Sequence, residues 1–178
     1  MQKKLMYLEI AGILFIVIMS VFMQNLLDLS GHTLIGVMFG SVNDSIWEIE
    51  KTLLFPYLLW AGIELLCIKI PFRKFIVAKA VSLWFFCLSY SAICLLYSLT
   101  GAQTHFLPEF TAALICCTLA FFISFRLTVG SKKCEVLFYP AFFMLMLFVV
   151  LYCSLTPFPM HNYLFMDRTT GLYGIIPE

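Results

Sequence analysis

The sequence predicts an all-α polytopic membrane helix bundle. It has five transmembrane helices, one short re-entrant or interfacial segment in the first outer loop, and an N-in/C-out course. Three observations carry this. The chain's 178 residues are 62% hydrophobic and 12% charged, against about 25% charged in a soluble domain. Five apolar stretches each approach the roughly 20 residues that a bilayer-crossing helix needs. Lysine and arginine then sort to one side. Lys3, Lys4, Lys69, Arg73, Lys74, Lys79, Arg126, Lys132 and Lys133 fall together, and only Lys51 and Arg168 of the 11 fall opposite. The positive-inside rule makes the first side cytoplasmic.

The spans fall near residues 5–27, 52–70, 75–99, 109–129 and 135–156, within a single integral membrane domain over 1–178. A backbone in lipid must satisfy its own hydrogen bonds, so each stretch reads as a helix. The first follows Lys3 and Lys4 but is too long for a signal-peptide core and lacks a small-x-small cleavage site, so it reads as a retained signal anchor. Next comes "SGHTLIGVMFG", residues 30–40, too short to span. Its Gly36 and Gly40 share a face that permits close packing if the piece is helical.

Glu9, Glu64 and Lys79 fall in the cytoplasmic thirds of their helices. Ionisable groups inside a span are functional candidates by default, yet these lie only a few residues from the interface. A structural ion pair or snorkelling accounts for them better than a relay. No acid falls at mid-membrane depth and no internal repeat is visible, which weakens a proton-coupled transporter. Six of the seven cysteines, Cys67, Cys87, Cys94, Cys116, Cys117 and Cys153, fall in apolar runs, and Cys134 falls in a basic loop. They read as packing residues, not as a disulfide framework.

The most polar run of the first half is "GSVNDSIWEIEKTLLFP", residues 40–56. It starts a helix, and two caps compete. Ser45 with Glu48 makes a capping box. Alternatively Asn43 caps, and Val42 staples onto Trp47. Helical spacing places Asp44, Glu48 and Lys51 on one face, with Glu50 turned elsewhere as a bystander. Asp44 and Glu48 repel unless a cation such as Lys51 lies between them. Trp47 suits an interface anchor, and Pro56 removes one backbone hydrogen bond within the second span.

The tail, 157–178, reads "PFPMHNYLFMDRTTGLYGIIPE". Pro157 and Pro159 end the fifth helix, and its apolar content is too high for a disordered segment. It is expected to fold back over the outer mouth, bringing Asp167 and Arg168 to the first outer loop. Together, "VNDSIWEIEKTLLFP" and "LFMDRTTGLYG" resemble an uncharacterised family of small bacterial multi-pass membrane proteins. Its members carry Asn-acid-Ser-x-Trp-Glu-His-x-Lys and a tail like Pro-Pro-His…Phe-x-Asp-x-x-Thr-Gly-x-Tyr-Gly. Asn43, Ser45, Trp47, Glu48, Lys51 and Pro56 match the first motif. His161, Phe165, Asp167, Thr170, Gly171, Tyr173 and Gly174 match the second. The family histidine is Ile49 here and one tail proline is Met160, which lowers a family-wide metallohydrolase reading. The resemblance implies a bacterial cytoplasmic-membrane protein and supplies no activity.

The leading functional expectation is a membrane protein with a polar extracytoplasmic vestibule for a ligand, lipid headgroup or partner. Its polar cluster is Asn43, Asp44, Trp47, Glu48, Lys51, Asp167 and Arg168. The alternative is a membrane-embedded enzyme acting on lipid or envelope substrates, with His32, His105 and His161 as metal ligands. No His-Glu-x-x-His or Gly-x-Ser-x-Gly signature supports it, and no cofactor is required by the sequence. The bilayer is the expected partner, any protein partner is left open, and the net charge of +1 gives no reason to expect nucleic acid.

Overall fold

The computed structural model describes residues 2–99, 106–130 and 132–175, without the side chains of residues 106 and 132–134. His105 and residues 176–178 lie outside the described residues. The described chain is an all-α helical bundle: α1 (Gln2–Gln24), α2 (Leu26–Leu29), α3 (Leu34–Phe39), α4 (Ile46–Cys67), α5 (Phe72–Leu99), α6 (Phe106–Val129) and α7 (Phe138–Leu155), with a 3₁₀ turn at Lys132–Leu137 before α7. Among the described residues four helices are long and apolar enough to cross a membrane: Gln2–Gln24, Phe72–Leu99, Leu107–Val129 and Glu135–Leu155. They point to a multi-pass membrane protein.

Each helix buries a stripe and leaves apolar surface outside. On α1 the stripe is Leu5, Glu9, Gly12, Ile16, Ser20 and Met23, three or four residues apart as one helical face requires. Its other faces expose Ile10, Leu14, Ile18 and Val21, as lipid-facing positions do. The stripe packs on α4 and α6, while α5 packs on α4, α6 and α7. α7 repeats the pattern with Ala141, Leu145, Phe148 and Tyr152 inside.

The predicted second span, 52–70, ends earlier, with α4 stopping at Cys67. Ile68 is extended, and Ile70 precedes Pro71, whose ring disfavours a helical residue before it. α4 also begins earlier than that span and continues unbroken through Pro56. It differs from the other long helices in carrying Glu48, Glu50, Lys51 and Glu64, all buried. Its charged positions therefore face protein, and its neighbours must supply their partners.

One such meeting joins four helices. Lys79 Nζ lies 2.5 Å from Glu64 Oε2 and 3.1 Å from Glu9 Oε2. Ser124 donates to Glu9 Oε1 at 2.8 Å, and the rings of Tyr57, Phe75 and Phe121 surround the ammonium at 5.2–5.3 Å. The expected ion pair is thus a three-member cluster tying α1, α4, α5 and α6. Gly12 lets it close. A Cβ there would come 2.5 Å from Trp60 Nε1 and 2.6 Å from Phe121 Cζ.

Removing Lys79 alone leaves two buried carboxylates without their cation, and breaking a buried pair in this way costs about 3–5 kcal/mol. Lys79→Met is therefore expected to lower the unfolding temperature of detergent-purified protein sharply. The triple change Glu9→Gln, Glu64→Gln and Lys79→Met recovers most of the loss. A single variant as stable as the parent would refute this account.

Candidate functional site

At the end of the bundle away from Lys79, the first turn of α4 meets the tail. Ser45 is the N-cap, its hydroxyl accepting from the Glu48 N–H at 3.3 Å. The capping box is incomplete, because the Glu48 carboxylate does not return to Ser45. The Ser45 N–H goes instead to Asn43 Oδ1 at 2.9 Å. Of the two expected caps the structure thus has Ser45, and Asn43 lies two residues before it, bracing the cap residue. A further first-turn donor, the Trp47 N–H, is satisfied by the tail carbonyl of Leu164 at 3.0 Å. Helix starts leave such groups orphaned, and here a distant segment completes the cap.

The tail earns its rigidity from one carboxylate. Asp167 Oδ1 accepts from Thr169 and Thr170, through both backbone N–H and hydroxyl groups at 2.6–2.9 Å. Its Oδ2 accepts the Asp44 N–H at 2.8 Å. Gly171 follows with φ +71°, and Met166 bridges Tyr173, so residues 166–173 form a tight reversal. Gly174, at φ +75°, presents its carbonyl to Asn43 Nδ2 at 2.9 Å. Positive φ favours glycine at both positions. The two motifs therefore read each other: Asn43 with Gly174, Asp44 with Asp167, Trp47 with Leu164 and Phe165.

The predicted cluster divides. Glu48 and Lys51 form a buried ion pair at 2.6 Å. Lys51 also donates to Val37 O and Thr156 Oγ1, both at 3.0 Å, while Thr156 donates to Glu48 Oε1 at 2.8 Å. This pair fastens α3 and α7 to α4. Asp44 does not share its face. The helix begins at Ile46, so Asp44 lies outside it with an exposed side chain, and Lys51 is not a cation between the two acids. Trp47, expected as an interface anchor, packs its ring on protein. Its ring stacks on Tyr152 at 4.0 Å and packs on Phe165 at 4.6 Å. Arg168 donates through Nε to Asp44 O at 2.9 Å and pairs through Nη1 with Glu109 of α6.

Glu50 is no bystander. It is 1% exposed, accepts from Ser91 at 2.8 Å, and keeps Oε1 without a hydrogen-bond partner among the described residues. In the first half of α4, where most side chains are buried, turning away from Glu48 leads to another interior surface, not to water.

Behind the docked tail lies a cavity of about 430 Å³. Ile16, Val17, Leu53, Ala113, Leu114 and Cys117 are among its apolar walls, drawn from α1, α4 and α6. Asp44, Arg168, Thr169, Glu109, Ser41 and Gln24 supply polar groups. Of the predicted cluster, only Asp44 and Arg168 line it. Glu109 was missed as a site residue; its signal was being the acid in the first turn of α6, opposite in sign to Arg168. His32 sits at φ 58° with Asp28 3.8 Å away, and His161 packs on Tyr173 at 4.7 Å. Among the described residues no group of three or more His, Cys, Asp or Glu side chains could hold a metal ion.

A family profile matches residues 1–175. The chain belongs to DUF6512, a family of unknown function. No curated protein and no solved structure matches this DUF6512 chain.

Burial alone would raise the Asp167 carboxyl, but hydrogen bonds from Thr169, Thr170 and the Asp44 N–H outweigh it and hold the group well below the usual aspartate range. A depressed folded value stabilises the docked tail above the unfolded value of about 3.9, and that stabilisation is lost as pH falls through the folded value. Amide exchange at Asp44 and Trp47 is therefore expected to lose protection below about pH 4. In Asp167→Asn, those amides should already be less protected at neutral pH. Unchanged protection in that variant would contradict the role given to this carboxylate.

Breaking the second ion pair gives a separate check. Lys51→Met strands Glu48 in the interior and is expected to cost about 3–5 kcal/mol, read by thermal unfolding, whereas Glu50→Gln, which strands no charge, is expected to be tolerated.

Proposed function

We propose that this chain is a five-span membrane protein forming one integral membrane unit over residues 1–178. Its N-terminus is cytoplasmic and its C-terminus extracytoplasmic. Its tail-covered cavity binds an amphiphile at the outer face. The observation that carries the binding reading is the chemistry of the cavity. Apolar side chains of three helices form its body, while Asp44, Glu109 and Arg168 supply its charged groups. Such a gradient suits a molecule with one greasy and one polar end. The volume lies within the roughly 300–1,000 Å³ of small-molecule sites.

The fifth span is α4. Its 22 residues reach about 33 Å at 1.5 Å each, close to the hydrocarbon thickness of a bilayer. Its charges are buried against protein, so its polarity is no obstacle to crossing beside its neighbours. Charge placement supports the orientation, since basic residues gather at the end opposite the tail.

Ala113 lies against the cavity with 8% exposure, so a large side chain there has space to enter. Ala113→Trp is expected to keep the parent's unfolding temperature and to lose co-purified amphiphile in native mass spectrometry. Equal amphiphile on both proteins would sink the binding reading. For orientation, an alkaline-phosphatase fusion after the tail is expected to be active, and an inactive, stably expressed fusion would reverse the topology.

A further inference from the structure

We propose that the cavity selects an amphiphile whose headgroup joins a phosphate to a protonated primary amine. The inference rests on the amphiphile reading above and adds the class of headgroup.

Three charged residues line the cavity: Asp44, Glu109 and Arg168. Asp44 commits its N–H to Asp167 and its carbonyl to Arg168. Those contacts use backbone atoms. They fix the residue in place and leave its exposed carboxylate available. Arg168 commits Nε to that carbonyl and one Nη1 donor to Glu109, which leaves the second Nη1 donor and both Nη2 donors. The guanidinium is held from two sides, so it is presented rigidly. The rim therefore offers one unpaired carboxylate, on Asp44, and three guanidinium donors, on Arg168, and the two residues are already bonded to each other.

That pairing has a chemical complement. Guanidinium donors suit phosphate oxygens, and a carboxylate suits an ammonium that can donate hydrogen bonds. A purely anionic headgroup meets two carboxylates against one guanidinium, and the surplus carboxylate repels it. A neutral sugar headgroup leaves the Asp44 carboxylate without a counter-charge. Ser41, Thr169 and Gln24 add neutral hydrogen-bonding capacity around the same rim. A phosphoethanolamine-type head satisfies both charged groups at once, with its chains lying along Ile16, Leu53, Ala113 and Leu114.

The test uses the full-length protein in detergent, delipidated and then titrated with short-chain lipids of identical tails. One carries a phosphoethanolamine head and the other a phosphoglycerol head, with bound lipid counted by native mass spectrometry. The phosphoethanolamine lipid is expected to bind more tightly by on the order of fivefold, the upper range for an ion pair at an exposed site. Asp44→Asn keeps every backbone contact of the docked tail and is expected to retain lipid while losing that preference. Soluble phosphoethanolamine, without tails, is expected not to displace the lipid at equal concentration.

Equal or reversed preference in the parent overturns the headgroup inference while leaving the amphiphile reading intact. Displacement by the soluble headgroup overturns it in favour of a soluble zwitterion. Failure of both lipids to bind, with Ala113→Trp indistinguishable from the parent, overturns the amphiphile reading itself.

Discussion

One ammonium group sets the packing of four helices. In a bilayer the hydrophobic effect gives apolar helices little reason to prefer each other over lipid, so close packing and polar contacts decide which faces meet. Lys79 supplies such a contact. Buried and alone it would cost several kcal/mol, and the arrangement that relieves it needs Glu9 from α1 and Glu64 from α4 at once. Gly12 is the steric condition for this, since Trp60 and Phe121 occupy the space where its Cβ would stand. The approach of α1 to α4 and α6 is thereby tight at Gly12. One turn further along the same face, at Ile16, the cavity begins. Fastening the helices at one level leaves room at the next.

The opposite end solves a different problem. α4 starts in a protein-enclosed position, so its first-turn N–H groups need partners that water cannot supply. Ser45 provides one acceptor and the tail carbonyl of Leu164 provides another. The tail is thus part of the helix start. It also closes over the cavity through Arg168 and Thr169. Cap and cover are one piece of chain, so loosening the first exposes the second. Asp167 couples them, because the carboxylate that shapes the tail's reversal also accepts the Asp44 N–H.

Much of the fold was legible because membrane helices are written in composition and length. The helical stretches appear in the sequence as apolar runs, and their ends lie within about three residues of those expected except at the start of α4, which begins six residues earlier, after the Ser45 cap. That the tail folds back to the first loop was legible from its apolar content, too high for a disordered segment. What was not legible is which polar atom faces which partner. Helical spacing put Asp44 on the face of Glu48 and Lys51, but that holds only inside the helix, and Asp44 precedes it. Spacing also turned Glu50 away from Glu48 correctly, yet could not say that Ser91 of α5 waits there. The pairing of Glu109 with Arg168 joins positions 59 residues apart, and no local pattern encodes it.

The division of the polar cluster bears on what a motif means in such a chain. Asn43, Trp47, Glu48, Lys51 and Asp167 each place their polar or aromatic groups against other parts of the protein. A carboxylate holding a lysine, or accepting five donors, has little capacity left for a ligand. Their appearance together in sequence therefore speaks for a docked tail more than for chemistry. The groups with capacity remaining are those whose backbone does the docking, as in Asp44, or whose side chain has more donors than partners, as in Arg168. The atoms that the fold leaves unconsumed at this end are the ones available to meet a ligand. Glu109 and Gln24, which neither motif marks, line the same cavity, so position in the fold, not membership of a motif, brings a residue to it.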